Sequence, residues 1–290
     1  EMLRSLVGSE MCIRDSMYTE YQPSHLLVPY IDNYWEFKGN PDYGMRIHIL
    51  PDGCTDFIFT LGEVANAVEE GSLIMQPYRS YFVGPMTKYS ELVTYTESIH
   101  MFGVRFLPCG LSCFTNLPLH EFVNSRVSTN EMKAVFDDTF IEKLGEQKHV
   151  TDRIRVVEEY LLAYLARHYQ PADSHVAMAV NMINHSKGKR SVRSLMDDVC
   201  LCQRHFERKF KHYTGFTPKE YSRIVKFKNA VELLRTTTSA NLLTTAVDAG
   251  YYDLAHFSKE IKSMSGNTPA SFLSLTVPEE TTLTYIEPQR

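Results

Sequence analysis

Basic side chains recur with the same spacing in two segments of the C-terminal third of the chain. Arg204, Arg208 and Lys211 are separated by four and three residues. The same spacing returns 51 residues later, at positions that hold Ala, Lys and Lys. The planar guanidinium of arginine can donate to O6 and N7 of one guanine, and the lysine ammonium pairs with phosphate as a point charge. These residue types therefore support the recognition of a polyanion.

Two amphipathic helices must carry these side chains. Each basic face lies opposite a narrow apolar stripe, because three apolar positions in each segment fall within about 60° on a helical wheel. The stripes are Phe206, Phe210 and Tyr213 in the first segment and Phe257, Ile261 and Met264 in the second. Thr214-Gly215-Phe-Thr-Pro218 follows the first stripe and recurs as Ser265-Gly266-Asn-Thr-Pro269. We expect each helix to bury one face and to offer the other to a partner.

A shorter helix is predicted before each of these two, over residues 191–199 and 242–249, and Asp253 is suited to cap the second long helix. Helix, tight turn and basic amphipathic helix is the helix-turn-helix plan, in which the second helix enters the major groove of DNA. Apolar positions between Tyr221 and Leu234 predict a connecting helix. The alternative is a pair of structural hairpins with solvated charges, which the double coincidence of stripe, turn, cap and basic face disfavours.

Net charge divides the chain into two unlike parts. The 290 residues include 30 Lys and Arg against 35 Asp and Glu, a net charge of −5. Residues 175–275 hold 15 basic and 8 acidic residues (+7), so the remainder holds 15 basic and 27 acidic residues (−12). A basic block on an acidic chain is typical of a polyanion-binding domain joined to another domain. From charge alone, a solvated basic face without a partner explains the block equally well.

Residues 175–275 resemble the AraC family of bacterial transcription regulators. The motifs that carry the resemblance are Arg204-His-Phe-Glu-Arg-Lys-Phe210, Gly215-Phe-Thr-Pro218, Tyr221, Ala230-Val-Glu-Leu-Leu234, Ala246-Val-Asp-Ala-Gly250-Tyr251, Phe257-Ser-Lys259 and Gly266-Asn-Thr-Pro269. The resemblance implies an all-α domain of about seven helices, with two helix-turn-helix units that bind double-stranded DNA.

The resemblance also implies which side chains contact DNA. Base contacts fall on Arg204, Glu207 and Arg208 in the first unit and on Leu254, Ala255 and Lys259 in the second. We expect Lys211 and Lys262 at phosphates, where they position the protein without reading sequence. Glutamate accepts from cytosine N4, whereas leucine and alanine contact at most a thymine methyl. The first unit is therefore expected to carry more of the specificity.

Short β-rich runs fill the acidic part of the chain between residues 34 and 106, with turn residues between them. This spacing predicts a small barrel or sandwich. Pro51-Asp-Gly53 before Asp56-Phe-Ile-Phe59, together with Gly103-Val-Arg-Phe-Leu-Pro108, resembles the cupin-like sensing domains of such regulators. The predicted fold class is α+β: a small cupin-like β-barrel with helices, followed by the all-α domain.

Polar groups at the mouth of a small barrel can hold an effector. Trp35, Asp52, Asp56 and Arg105 are the predicted lining of such a pocket. Structural readings stay open beside it, with Asp52 as a turn former, Arg105 in an ion pair and Trp35 in the core. The resemblance implies no particular effector.

The chain divides into five predicted parts. Residues 1–16 look like a translated sequencing adaptor, from Leu3-Arg-Ser-Leu-Val to Ile13-Arg-Asp-Ser16, so the native chain is expected to begin at Met17. The β-rich sensor or dimerisation domain spans 17–170 and ends in an amphipathic helix over 152–169. A linker follows at 171–174, with Ser174 as the expected cap of the next helix. The DNA-binding domain spans 175–276, and a tail occupies 277–290.

Other functional classes find little support in the sequence. A cupin-type metalloenzyme needs clustered His and carboxylate ligands, whereas His48, His100 and His120 stand apart, so we predict neither a metal site nor a cofactor nor catalysis. No apolar run approaches the about 18–20 residues of a membrane-spanning helix, and no membrane partner is predicted. Six cysteines without a CxxC pair favour a reducing cytoplasm.

The function expected from the sequence is sequence-specific DNA binding by a transcription regulator whose N-terminal domain responds to an effector or to dimerisation. The expected partners are double-stranded DNA, a small-molecule effector, a second copy of the chain and, for an activator, RNA polymerase. Two alternatives stay open, namely a metal-dependent enzyme fused to a helical domain and an interaction module that does not bind DNA.

Overall fold

The computed structural model describes residues 11–13, 16–40, 45–62, 75–94, 96, 98–132, 135–136, 138–168, 170–199, 201–236, 242–270 and 284–286. The first ten residues of the expected adaptor segment, Cys200 and most of the expected C-terminal tail lie outside these ranges.

The N-terminal domain is built from antiparallel strands. The strands in the described ranges are β1 (Met11–Ile13), β2 (Ser16–Tyr21), β3 (Ile31–Gly39), β4 (Met45–Ile49), β5 (Thr55–Thr60), β6 (Ser80–Val83), β7 (Ser90–Thr94), β8 (Ile99–Phe106), β9 (Arg126–Ser128) and β10 (Thr284–Ile286). Hydrogen bonds order seven of them as β1-β2-β3-β8-β5-β6-β9 and three as β10-β4-β7. The prediction of a β-rich N-terminal domain is confirmed.

The larger sheet buries both of its faces. Successive side chains of a strand point to opposite sides, so each central strand contributes residues to two different cores. On one face, Tyr34 of β3 and Phe57 of β5 share a core with two helices, α1 (Asp138–Gly145) and α2 (Val150–His168). On the other face, Trp35 and Ile58 pack with residues of the smaller sheet, including Ile47 and Leu92. The helix expected over 152–169 is α2.

The C-terminal domain is helical, as predicted. Its helices are α3 (Ser174–His185), α4 (Val192–Val199), α5 (Gln203–Thr214), α6 (Pro218–Thr236), α7 (Leu242–Asp248) and α8 (Leu254–Ser265), and residues 269–270 are helical as well. Both apolar stripes enter one core, in which Phe206, Phe210, Phe257, Ile261 and Met264 are buried and Tyr213 packs at the edge. Across the described ranges, no helix combines the length and the apolar content that a membrane crossing requires.

The N-cap of α3 is Asp173 and not Ser174, so the expected cap was wrong by one residue. Oδ1 of Asp173 accepts hydrogen bonds from the backbone N–H groups of His175 (3.1 Å) and Val176 (3.2 Å). Oδ2 of the same carboxylate accepts from Nζ of Lys209 on α5, at 2.6 Å. A carboxylate can cap α3 and pair with Lys209 at the same time, whereas a serine hydroxyl cannot form the ion pair. The position of Lys209 depends on how α5 packs, so the local sequence does not reveal this cap.

The two domains pack directly against each other. Leu50 and Cys109 of the N-terminal domain are buried in the same apolar core as the C-terminal helices. Gly53, in the turn before β5, has a φ of +86°, and a Cβ built on it would lie 2.7 Å from Cε2 of Tyr221 on α6. A side chain at residue 53 would therefore push the two domains apart.

Candidate nucleic-acid interface

Helix α5 presents its basic side chains to solvent while its apolar stripe is buried. Arg204, Arg208 and Lys211 are exposed. Glu207 is half-buried, and its Oε1 accepts a hydrogen bond from Nε2 of Gln203 one turn earlier, at 2.9 Å. The side chains predicted for base and phosphate contacts in the first unit thus share the open side of one helix.

Helix α8 repeats this arrangement with fewer charges. Ala255, Lys259 and Lys262 are exposed, and Leu254 at the first position is 38 % exposed. The first two exposed side chains of this helix, Leu254 and Ala255, are therefore apolar or small, His256 follows them, and the lysines lie further along. We call α5 and α8 the reading helices.

The two reading helices differ at their N-termini. Oδ1 of Asp253 accepts a hydrogen bond from the backbone N–H of His256 at 2.7 Å, which confirms the predicted cap of α8. Cys202 takes the same position before α5 with extended backbone angles (φ −65°, ψ 143°), but its side chain makes no capping hydrogen bond. The first helix therefore starts without a side-chain cap.

The C-termini of α5 and α8 are closed by the same set of hydrogen bonds. Gly215 and Gly266 adopt left-handed backbone angles (φ +83° and +78°), and their N–H groups donate to the carbonyl four residues earlier, at 2.9 and 3.0 Å. The hydroxyls of Thr214 and Ser265 each donate to the carbonyl four residues earlier, at 2.7 Å. Glycine suits these positions because it has no Cβ to oppose a positive φ.

The connecting helix α6 is tied to the second unit by charged side chains. Nε and Nη2 of Arg223 donate to Oε1 and Oε2 of Glu260 on α8, at 2.7 and 2.9 Å. Nζ of Lys226 donates to the carbonyl of Gly250, in the turn before α8, at 3.2 Å and lies 5.5 Å from the ring centre of Tyr251. The predicted connecting helix thus contacts α8 directly through Arg223 and the turn before α8 through Lys226.

The exposed basic groups of the reading helices are not neutralised within the described part of the chain. No carboxylate of that part lies within 4 Å of the charged groups of Arg204, Arg208, Lys211, Lys259 or Lys262. Lys209, on the same helix as three of them, instead pairs with Asp173 at 2.6 Å. The outward cations thus remain available to an external anion, whereas the inward one has a structural role.

The four residues predicted to line an effector pocket meet inside the N-terminal domain. Nε1 of Trp35 donates to Oδ1 of Asp56 at 2.8 Å, and Nε of Arg105 lies 3.2 Å from the same oxygen and 3.5 Å from Oδ2 of Asp52. Strand pairing explains the cluster, because Asp56 faces Arg105 across β5 and β8. The three structural readings are thus observed: Oδ1 of Asp52 accepts from the N–H of Cys54, Arg105 is ion-paired and Trp35 is in the core.

Burial and charge act in opposite directions on this cluster. Burial by itself would lower the pKa of Arg105, but the carboxylates of Asp56 and Asp52 outweigh it and raise that pKa well above its usual value. Arg105 therefore stays protonated and holds both carboxylates in place. In the described ranges, no group of three His, Cys, Asp or Glu side chains is arranged to hold a metal ion.

A cleft of about 370 Å³ opens between the two domains beside this cluster. Its helical wall includes Lys187, Lys228, Asn229 and Glu232, and Asp32 and Asp52 stand on the wall of the N-terminal domain. Nδ2 of Asn229 is buried there without a hydrogen-bond partner. Of these residues only Asp52 was predicted from the sequence, because the cleft joins elements that are far apart in the chain and share no periodic pattern.

Comparisons with known proteins bear on both domains. A helix-turn-helix domain family matches residues 195–274, and a domain family of unknown function (DUF6597) matches residues 19–128. A comparison with curated proteins gave no match.

Similar solved structures include ToxT from Vibrio cholerae, with 9% identity over 90% of this chain and 98% of that one and a TM-score of 0.44. The C-terminal domain of AraT, a response regulator from Geobacillus stearothermophilus, has 20% identity over 38% of this chain and 92% of that one, with a TM-score of 0.34. A probable AraC family transcriptional regulator from Rhodopseudomonas palustris has 20% identity over 35% and 96%, with a TM-score of 0.32.

The matched helix-turn-helix family covers both units, from α4 to the residues after α8. Within it, the buried stripe, the left-handed glycine at the C-terminus and the outward basic face occur twice, and α6 joins the two copies. These are the features on which the resemblance of residues 175–275 rests. The chain is therefore a DNA-binding transcription regulator whose residues 195–274 match a helix-turn-helix domain family.

Proposed function

We propose that the chain regulates transcription by placing α5 and α8 in successive major-groove turns on one face of a promoter, about 34 Å apart. The observation that carries this proposal is the pair of outward basic faces that the described carboxylates leave unpaired. Because one chain holds both readers, it can occupy two half-sites without a partner. A second copy of the chain and, for an activator, RNA polymerase complete the proposed assembly in the cytoplasm.

Individual roles follow from side-chain chemistry and position. The base-contacting residues of the proposal are Arg204, Glu207 and Arg208 on α5 and Leu254, Ala255 and Lys259 on α8. Lys211 and Lys262 take phosphates, because they lie closer to the C-terminal ends, whereas the N-terminal residues of a recognition helix meet the base edges. The proposal assigns more specificity to α5, since two arginines and a glutamate distinguish base pairs that leucine and alanine do not.

We further propose that the interdomain cleft is where the effector binds. Its volume falls within the range of small-molecule sites. Lys187 and Lys228 have no described carboxylate within 4 Å, and Nδ2 of Asn229 lacks a hydrogen-bond partner. These three donors outnumber Glu232, the one described carboxylate of the helical wall, so this wall suits a carboxylate. Asp32 and Asp52 on the opposite wall suit a hydroxyl or ammonium group. The proposed effector is therefore a small organic acid that carries hydroxyl or amino groups.

The cleft is placed to couple an effector to the readers. Asp52 lies next to Gly53, which contacts Tyr221 of α6, and the hydroxyl of Tyr221 donates to Oδ1 of Asn184 on the helical wall, at 2.9 Å. Arg105, Asp56 and Trp35 stand behind Asp52 and fix its carboxylate, which is the role we propose for the predicted pocket residues. A ligand across the cleft would thus change how firmly α6 rests on the N-terminal domain.

Selection from a random pool of DNA duplexes with the full chain tests the DNA-binding proposal. We expect enriched duplexes with two half-sites, and Arg208→Ala should weaken binding by about 1–3 kcal/mol and relax preference at one base position. Lys211→Ala should weaken binding to all sequences and reduce the salt slope by about 1. Arg155→Ala, an exposed arginine of α2, is the matched control. If Arg208→Ala binds every sequence as the parent does, the base-contact assignment is wrong.

Thermal unfolding with a panel of amino acids and sugar acids tests the cleft. A ligand at about 100 times its Kd adds about 2.7 kcal/mol to the free energy of unfolding, which raises Tm measurably. The increase should disappear in Asn229→Leu and Lys228→Met and persist in Lys143→Met, an exposed lysine of α1. An increase of equal size in all variants would place the effector elsewhere.

A further inference from the structure

One loop of the N-terminal domain touches the C-terminal ends of both reading helices. This loop, residues 84–89 between β6 and β7, is called the bridging loop here. A Cβ built on Gly215 would lie 2.5 Å from Cγ of Pro85, and one built on Gly266 would lie 2.9 Å from Cζ of Tyr89. Gly215 and Gly266 occupy equivalent positions of the repeat, so the loop contacts the same point of each unit.

The missing side chains create the two contact points. A residue with a Cβ at either glycine would occupy the space into which the proline ring and the tyrosine ring now reach. Each reading helix therefore ends in a shallow seat, and the bridging loop fills both. The carbonyl of Leu119 forms a second side of the first seat, 3.3 Å from the same built Cβ on Gly215.

The bridging loop is firmly held within its own domain. The backbone N–H of Asn124 donates to the carbonyl of Pro85 (2.8 Å), and Oδ1 of Asn124 accepts from the backbone N–H of Thr87 (2.8 Å). Met86 is buried in the core between the sheets. Gly84 packs so closely on Phe122 that a Cβ would meet its carbonyl oxygen at 1.9 Å. A loop fixed in this way can transmit the position of the N-terminal domain.

The second seat is also supported from behind. The ring of Tyr89 stacks on that of His48, with centroids 5.7 Å apart and an angle of 13° between the planes. Tyr89 packs at the edge of the helical core as well. Its ring is thus held between β4 and the C-terminus of α8, which restricts where that helix end can move.

We propose that the bridging loop sets the spacing and relative rotation of the two reading helices, so that the N-terminal domain determines which half-site spacing the chain accepts. The loop contacts the helix C-termini, whereas the residues assigned to base edges lie nearer the N-termini, and all of them except the half-buried Glu207 are exposed. It therefore positions the readers without covering them. The inference rests on the proposed function, because it assumes that both helices read DNA.

Half-site spacing provides a direct measurement of this role. Each added base pair turns the second half-site by about 35° and moves it by about 3.4 Å. We expect the parent chain to lose about tenfold or more in affinity when one base pair is added between the half-sites of its selected duplex or removed, which corresponds to about 1.4 kcal/mol. Tyr89→Ala and Pro85→Ala, each of which empties one seat, should reduce this loss to less than about threefold.

Matched variants separate positioning from general damage. Tyr89→Phe keeps the ring on Gly266 and should restore the parent's spacing preference. Tyr78→Ala removes a tyrosine of the same domain that is 61% exposed, and it should leave the preference unchanged. Affinity for a duplex with a single half-site should be the same in every variant, because the reading faces are intact. Pro85→Ala supplies an independent variant if Tyr89→Ala does not fold.

The outcomes are distinguishable. A random pool that yields no enriched duplex overturns the proposed function and this inference together. If duplexes are enriched, and folded Tyr89→Ala and Pro85→Ala both keep the full tenfold spacing penalty, only this inference is overturned, and α6 alone sets the distance between the readers.

Discussion

Arg223 of α6 and Glu260 of α8 form a two-bond ion pair, with N–O distances of 2.7 and 2.9 Å. The carboxylate is 10% exposed, whereas the guanidinium is 47% exposed. The pairing with Glu260 raises the pKa of Arg223. The pair is therefore a bridge from the connecting helix to the second reader, with its acidic half buried.

Removal of the arginine should destabilise the C-terminal domain. Arg223→Ala leaves the Glu260 carboxylate buried without its partner, and we expect a loss of about 1–3 kcal/mol in the free energy of unfolding by urea. Arg155→Ala removes an arginine from the more exposed pair with Asp152 and should cost less than about 1 kcal/mol. Equal losses in the two variants would mean that the buried pair contributes no more than a surface pair.

Substitution of Gly103 should disturb the only tryptophan of the chain. Trp35 of β3 is paired with Gly103 of the neighbouring strand β8. A Cβ built on Gly103 would lie 1.9 Å from Cε2 of Trp35. We expect Gly103→Ala to displace the indole from Asp56, to shift its fluorescence and to cost about 1–3 kcal/mol. Gly145→Ala is the control, because a Cβ there meets nothing within 4 Å. Unchanged fluorescence and stability in Gly103→Ala would contradict this packing.

Substitutions at the N-caps of the two reading helices should change the stability of the chain in opposite directions. Asp253→Ala removes the cap of α8 and should cost about 0.5–2 kcal/mol, measured as a lower Tm. Cys202→Ser supplies a hydroxyl at a residue that already has the extended angles of a cap, and it should gain about 0.5–1 kcal/mol. Cys202→Ala lacks a hydroxyl and should give no gain. If serine and alanine behave alike, the cap geometry of α5 is not as described.

Acid should weaken the contact between α5 and the N-terminal domain. The rings of His212 and His120 face each other across the interface, with centroids 6.4 Å apart. Burial lowers the pKa of His212, the neighbouring imidazole lowers it further, and Glu121 opposes both effects. Because this pKa lies below the unfolded value of about 6.5, the unfolded chain binds more protons. The stability that His212 contributes is therefore fully present above about pH 6.5 and is lost as the pH falls through its lower folded pKa.

Urea unfolding at about pH 7.5 and about pH 5.5 measures this effect. The midpoint of the parent should fall on acidification, and His212→Gln should reduce that fall because residue 212 then no longer titrates. His185→Gln, an exposed histidine of α3, should keep the parent's fall. The same pH dependence in all three chains would assign the loss to other groups.

The sequence by itself determined the duplicated part of the protein. The stripes that end at Tyr213 and Met264, the glycines that follow them and the cap at Asp253 are encoded within one or two helical turns, because periodicity and capping are local. The outward basic faces follow from the stripes, since the opposite side of a half-buried helix must be solvated. These features sufficed to predict the helix-turn-helix domain and its exposed side chains.

The tertiary structure alone decided how the parts are held together. Arg223 and Glu260 are 37 residues apart, Asp173 caps α3 while it pairs with Lys209, and Pro85 and Tyr89 reach the ends of helices that lie far along the chain. Such contacts depend on how sheets and helices pack, and no periodic pattern announces them. The cleft beside Asp52 has the same origin, because its two walls belong to different domains and meet only in the folded chain.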